Sequence, residues 1–274
     1  MLRDQPRRLQ VRGGGGARLN VVETGPAAAP PILFIHGYCR SSVVWRKQFE
    51  SDLADEFRLV AFDLRGHGES EKPDDPQAYA ASQLWADDVA AVIDALDLRK
   101  PVVVAWSYGG LVICDYLRAR SDETLGAIDF VAAPTSQGGE KARKFNDPRF
   151  VALFPALFAT DDATLEPALA RLDELCTIPG VPTSAVARQW MIRGRKNDND
   201  DVLAALRIPV LCTHGSDDAV VTLEASEHVA RVVPGARLSI YPGSGHAPFF
   251  DDAPRFNREL RGLAGGAQVV YSEP

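Results

Sequence analysis

The stretch Pro101–Leu111, PVVVAWSYGGL, decides the reading of this chain. Val102, Val103 and Val104 form a β-branched apolar run of the kind that builds a buried strand. Gly109 and Gly110 follow, and a helical pattern runs from Leu111 to Arg120. Ser107 stands between strand and helix. Ala105-Trp106-Ser107-Tyr108-Gly109 matches the G-x-S-x-G nucleophile elbow, with Ala in the place of the first Gly. Small residues suit such a turn because it throws the serine outward while neighbouring backbone passes close. The helix that follows aims its first N–H groups at the serine and favours negative charge there.

Composition narrows what the chain can be. Its 274 residues, 46% hydrophobic and 24% charged, are enough for a full globular core. A net charge of −7 with no long basic run argues against nucleic acid or an anionic membrane as partner. The opening MLRDQPRRLQ lacks the apolar centre of a signal peptide. No run approaches the roughly 20 apolar residues of a membrane-spanning helix, so a cytoplasmic location is expected. Cys39, Cys114, Cys176 and Cys212 lie far apart and read as reduced, mostly core thiols.

Outward from the elbow, strands alternate with helices. Arg8–Val11 and Leu19–Thr24 predict a hairpin joined by Gly13–Gly16. Ile32–Ile35, Arg58–Phe62, Ile128–Ala132, Pro209–Thr213 and Arg237–Tyr241 read as further strands. Helices are expected from Val43 to Ala54 (capped by Ser41 or Ser42), from Ser82 to Leu98 (capped by Ser82), and over Leu223–Val233 and Pro254–Leu263. Gly265–Pro274 reads as a frayed tail. Such alternation implies a mostly parallel sheet covered by helices on both faces. Between Thr135 and Val202 the pattern changes to short helical pieces, among them Thr164–Leu175 and Ser184–Ile192. Residues 135–202 therefore read as a helical cap inserted into one domain made of 1–134 and 203–274.

Ligands of such sheets bind at the carboxyl ends of the strands. His36, Asp63, Ser107, Asp217, Asp218 and His246 all fall just past predicted strand ends. A serine needs a base and a group to orient that base. His246, in Gly243–Phe249, follows both the serine and a strand-end acid, in the order Ser, Asp, His. His36 and His67 read as loop braces, and His228 as a surface residue. One carboxylate of the Asp217-Asp218 pair would hold the imidazole, and the other would serve its loop or cap the next helix. The backbone N–H of Tyr108, after the serine, and that of Tyr38, after β-strand Ile32–Ile35, are the candidate oxyanion donors. Their side chains have no assigned part. Cys39 falls near this pocket by chain proximity, with nothing nearby to lower its pKa.

These marks together resemble the alpha/beta-hydrolase family, of the type with a helical cap. They are His36-Gly37-Tyr38, Asp63-Leu64-Arg65-Gly66-His67-Gly68, Ala105–Gly110, Gly215–Asp218 and Gly245-His246, and the match spans about Ile32 to Leu263. The resemblance implies an eight-stranded sheet whose second strand is antiparallel, with no cofactor and no metal. It implies Asp218 as the acid, since Gly215–Asp218 is similar to the family's G-x-x-D pattern. Ser rather than Asp at the elbow argues against the dehalogenase and epoxide-hydrolase branches. The DLRGHG loop and short cap resemble the cofactor-free haloperoxidase and esterase group, and Trp106-Ser107 with His246–Phe249 is similar to the pimeloyl-carrier methyl ester carboxylesterases.

The expected activity is hydrolysis of a small carboxylic ester through an acyl-enzyme. Perhydrolysis by the same residues, carbon–carbon bond hydrolysis and a ligand receptor without turnover are the alternatives. Phe145, Phe150, Leu153, Phe154, Leu157 and Phe158 are expected mainly to pack the cap and partly to line an acyl pocket. Arg188, Arg193, Arg195 and Lys196 read as a solvated face. Phe249 and Phe250 are candidates for a pocket wall, and Trp106 is expected to pack on the sheet.

Overall fold

A computed structural model of the chain describes residues 5–269. β1 (Arg7–Arg12) and β2 (Arg18–Thr24) form the expected hairpin, with Arg7 opposite Glu23 and Arg12 opposite Arg18. β3 (Pro31–Ile35), β4 (Arg58–Phe62), β5 (Val102–Trp106) and β6 (Ala127–Val131) follow. β7 (Ser136–Gln137) and β8 (Asn197–Asp198) make a separate two-stranded antiparallel ribbon. β9 (Val210–Gly215) and β10 (Arg237–Tyr241) complete the main sheet. Its eight strands run in the order β1-β2-β4-β3-β5-β6-β9-β10. β2 is antiparallel to both neighbours, and the strands from β4 to β10 in that order pair in parallel.

The apolar runs explain this layering. A strand sends alternate side chains to opposite faces. Leu33, Ile35, Val103 and Ala105 join one buried cluster, while Ile32, Phe34, Val102, Val104 and Trp106 join another. Helices Ser82–Ala95 and Gly109–Arg120 cover the first face through Val89, Val92, Val112 and Ile113. Helix Ala253–Val269 covers the second through Phe256 and Leu260. Burying one such side chain contributes roughly 1.5–3 kcal/mol. Strands without polar alternation therefore take the centre, and β10, with Leu238 and Ile240 exposed, takes the edge.

Several local expectations change. The Val43–Ala54 helix is broken into a 3-10 turn at Ser42–Trp45 and short helices Arg46–Phe49 and Leu53–Glu56. Neither Ser41 nor Ser42 caps by its side chain; the buried Asp63 carboxylate takes the Ser42 N–H at 2.7 Å instead. Ser82 begins its helix without capping it, and its hydroxyl accepts from Arg195 at 3.3 Å. The last helix continues to Val269, past the expected fray at Gly265, and 270–274 lie outside the described residues. β7 and β8 are too short to show a period and were not expected. The ribbon they form joins the two ends of the helical segment between β6 and β9. All four cysteines are buried and free. Among the described residues no helix is long and apolar enough to cross a membrane.

Asp129 is an ionisable residue in the middle of a buried strand. Its Oδ1 accepts from the Thr213 hydroxyl at 2.9 Å, and its Oδ2 has no partner among the described residues. Burial pushes its carboxyl up to about 8, against the smaller opposing effect of Thr213. The folded state therefore holds a proton that the unfolded chain releases near pH 4. The stability this confers is complete below the unfolded value and is lost as pH rises through about 8. Asp129→Asn, a mimic of the protonated acid, is expected to remove that dependence. Melting curves should show the Tm difference, variant minus parent, growing from pH 5 to about pH 8 and levelling off above it. A constant difference would refute the assignment.

Candidate active site

Ser107 follows directly on β5 with φ of +54°, in the left-handed region that non-glycine residues seldom adopt. Its N–H donates to the Val131 carbonyl at 2.9 Å, which holds the turn against β6. Helix Gly109–Arg120 begins two residues later, so its N-terminus faces the serine. The glycines exist here for space. A Cβ on Gly109 would stand 2.6 Å from the Ile35 carbonyl oxygen, and one on Gly37 would stand 2.8 Å from the Ser107 Cβ. Gly37→Ala should therefore displace the serine and slow its labelling by a fluorophosphonate by about 10²-fold. An unaltered labelling rate would show that the loop yields without moving Ser107.

Asp218 lies past β9 and His246 past β10, as neighbouring parallel strands require. His246 Nδ1 and Asp218 Oδ2 are 2.7 Å apart, with both side chains buried. The second carboxylate oxygen accepts backbone N–H groups from Val220 at 2.8 Å and Val221 at 3.0 Å. Burial alone would raise this carboxyl. The charge of His246 and hydrogen bonds from His214 and His246 outweigh it and hold Asp218 well below the ordinary carboxylate range. Asp217 is exposed and, among the described residues, its carboxylate accepts from the Ser216 hydroxyl alone, at 2.7 Å. It does not cap the next helix, which starts at Leu223 after Thr222.

Trp106 pins the loop of His246. Its indole N–H donates to the His246 carbonyl at 2.8 Å, and the two rings lie 5.3 Å apart. Trp106 also packs edge-on against Phe249, which in turn lies 4.3 Å from Trp45. Phe249 is thus core rather than pocket wall. Phe250 sits under Lys47 and Arg46 in a different surface groove.

Ser107 and His246 line one narrow cavity together with Gly37, Tyr38 and Phe150. A second cavity of about 250 Å³ opens beside Ser107, walled by Tyr38, Tyr108, Leu111, Phe150, Phe154 and Ile192. Phe150 and Phe154 face it, while Phe145 and Leu157 pack the segment itself. Phe158 stacks on Phe154 and carries Arg193 over its ring at 4.4 Å.

The tyrosine side chains and two of the arginines depart from expectation. Tyr38 donates its hydroxyl to the Arg188 carbonyl at 2.9 Å, and Tyr108 donates to the Met191 carbonyl at 3.2 Å. Both therefore hold helix Ala185–Arg193 over the site. Burial raises both phenols, so each remains a donor at neutral pH. Arg195 donates to the Tyr108 hydroxyl at 3.0 Å and pairs with the buried Asp115. Arg188 is buried and spends its guanidinium on the carbonyls of Leu157, Thr183 and Ala159. These two arginines are internal struts, not a solvated face; charge alone does not reveal the carbonyls that receive them.

The remaining histidines are accounted for. His36 Nε2 accepts from the Leu64 N–H at 2.9 Å, and burial lowers it to about 4. His67 Nε2 accepts from the Cys39 N–H at 3.2 Å, and burial lowers it to about 3. Both are braces, as expected. His228 is half-buried beside Asp200, at 2.8 Å. His214, given no part by the sequence, lies 3.3 Å from Asp218 Oδ2. Cys39 is fully buried, and burial pushes its thiol up to about 11, which leaves it unreactive. Among the described residues no cluster of His, Cys, Asp or Glu is suited to hold a metal ion.

Residues 32–259 match the model of the alpha/beta hydrolase family. The chain belongs to that family. One alpha/beta hydrolase relative, a bifunctional esterase/perhydrolase from Acinetobacter calcoaceticus, is 31% identical over 86% of this chain and 92% of its own. A non-heme chloroperoxidase from Streptomyces lividans is 28% identical over 86% of this chain and 92% of its own. The solved structure of an esterase from Rhodococcus sp. ECU1013 is 34% identical, covers 94% of this chain and 98% of its own, and superposes with a TM-score of 0.88. As an alpha/beta hydrolase the chain thus sits among esterases and haloperoxidases of its own length.

Proposed function

We propose that this alpha/beta hydrolase is a serine esterase that cleaves a small carboxylic ester through an acyl-enzyme. The observation that carries this reading is the buried Asp218–His246 pair beside a strained serine that shares a cavity with the imidazole. Ser107 Oγ attacks the acyl carbon while His246 takes its proton. Asp218 holds the Nδ1–H of His246, which fixes the tautomer and supports the imidazolium as it forms. The alkoxide of the tetrahedral intermediate takes the N–H groups of Tyr38 and Tyr108, neither of which donates elsewhere among the described residues. His246 then returns the proton to the leaving alcohol, and water releases the acid by the same steps in reverse. Residues 135–202 act as a cap whose Phe150 and Phe154 receive the apolar part of the substrate.

The test is direct. A fluorophosphonate should label one serine, and peptide mapping should find the adduct on Ser107. Labelling elsewhere, or none on the folded protein, defeats the reading. A second reading, perhydrolysis, draws on the esterase/perhydrolase and chloroperoxidase relatives. It uses the same acyl-enzyme with hydrogen peroxide in place of water. Ser107→Ala is therefore expected to lose ester hydrolysis and peroxide-dependent peracid formation together. Peracid formation that survives the substitution would separate the two chemistries.

A further inference from the structure

We infer that His214 is a second positioning residue for Asp218, holding the carboxylate in the orientation that His246 uses. The inference rests on the proposed triad. His214 is the last residue but one of β9 and has no exposed surface. Its Nδ1 lies 2.7 Å from the Ser226 hydroxyl; its Nε2 lies 3.1 Å from the Val221 carbonyl and 3.3 Å from Asp218 Oδ2. A carbonyl oxygen only accepts, so Nε2 carries a proton. In the neutral ring Nδ1 then accepts from Ser226, which sits on helix Leu223–Val232. The Nε2 proton is shared between the Val221 carbonyl and the carboxylate.

Asp218 is thereby enclosed. Oδ2 faces two imidazole N–H groups, from His246 and His214. Oδ1 takes the N–H groups of Val220 and Val221. Val221 is bound at both ends, its N–H to Asp218 and its carbonyl to His214, so the loop that carries the acid is tied back to the strand it leaves. His214 lines neither cavity at Ser107, so it acts through Asp218 and not on substrate. Other charged or titratable groups near Asp218 among the described residues include the adjacent Asp217, the Asp147–Arg149 pair and the Cys176 thiol, the last two on different stretches of the helical segment.

The experiment compares His214→Phe, which removes the donor, with His214→Gln, which retains one. Rates are normalised to active sites titrated with a fluorophosphonate. His214→Phe is expected to lower kcat about tenfold with KM within twofold. It should also move the acid limb of the kcat/KM profile up by about half a pH unit, because a carboxylate with one donor fewer binds the imidazolium more tightly. His214→Gln should recover part of both effects. A lower Tm with unchanged kcat per active site and an unmoved acid limb would overturn the inference. Ser107→Ala and His246→Ala run alongside. If either keeps full activity, the triad itself fails; if both are dead and the His214 profiles are unmoved, only the present inference fails. Should the His214 variants not melt cooperatively, ¹⁵N-histidine spectra of the parent protein decide. A proton on Nε2 of His214 is expected, and a ring bare at Nε2 overturns the assignment.

Discussion

Ser107→Gly is expected to abolish ester hydrolysis and to melt at a higher temperature than the parent. Activity should fall by at least about 10⁴-fold, the scale on which nucleophile deletions act in serine hydrolases. Stability should move the other way because the backbone at 107 sits at φ +54°. A non-glycine residue held in such a region costs about 1–3 kcal/mol, and glycine adopts it freely. Glycine also loosens the unfolded chain, which takes back about 0.4–1 kcal/mol. The balance is about 1 kcal/mol, or roughly 2–4 °C in Tm for a chain of this size. Calorimetry and p-nitrophenyl butyrate turnover measure the two halves. A variant with a lower Tm would show that the turn is not strained, and one that still turns over would remove Ser107 from the mechanism.

Asp218→Asn is the second substitution with a large expected effect. Its amide would keep Oδ1 under the Val220 and Val221 N–H groups, and so would turn NH₂ toward His246 Nδ1 and His214 Nε2. Facing a donor, His246 would shift its proton to Nε2, the nitrogen that accepts from Ser107 in the proposed mechanism. Loss of kcat by about 10³–10⁴-fold is expected from the wrong tautomer. Asp217→Asn, one residue away and exposed, should leave kcat within twofold, since its carboxylate serves Ser216 alone among the described residues. Equal effects at the two positions would mean that the acid has been misassigned.

The centre of the fold was legible because its signal is local. Three consecutive valines, a serine and two glycines specify strand, turn and helix within a dozen residues, and β5 and helix Gly109–Arg120 lie where that pattern puts them. The placement of Ser107, Asp218 and His246 on one rim was legible for a related reason: each follows a strand end, and parallel strands bring those ends together. What was not legible depends on acceptors that carry no residue-specific signal. Tyr38 and Tyr108 donate to backbone carbonyls of a helix far along the chain, and Arg188 is satisfied by three more carbonyls. Any residue at those positions presents the same oxygen. His214 was overlooked because its partners, Asp218, Val221 and Ser226, become a set only when the loop after β9 folds back. The broken Val43–Ala54 helix had an adequate apolar pattern, and its residue types do not mark the breaks after Trp45 and Phe49.

The tethering of helix Ala185–Arg193 by the two phenols bears on how this scaffold can be diversified. Tyr38 and Tyr108 belong to the sheet side of the molecule, yet their outer ends are anchored in the segment above it. A replacement segment grafted between β7 and β8 inherits both rings and has to offer each an oxygen at matching height, or their anchoring is lost. Exchange of this segment in the present chain is therefore restricted to replacements that present two such oxygens, or to chimaeras in which both tyrosines are replaced at the same time.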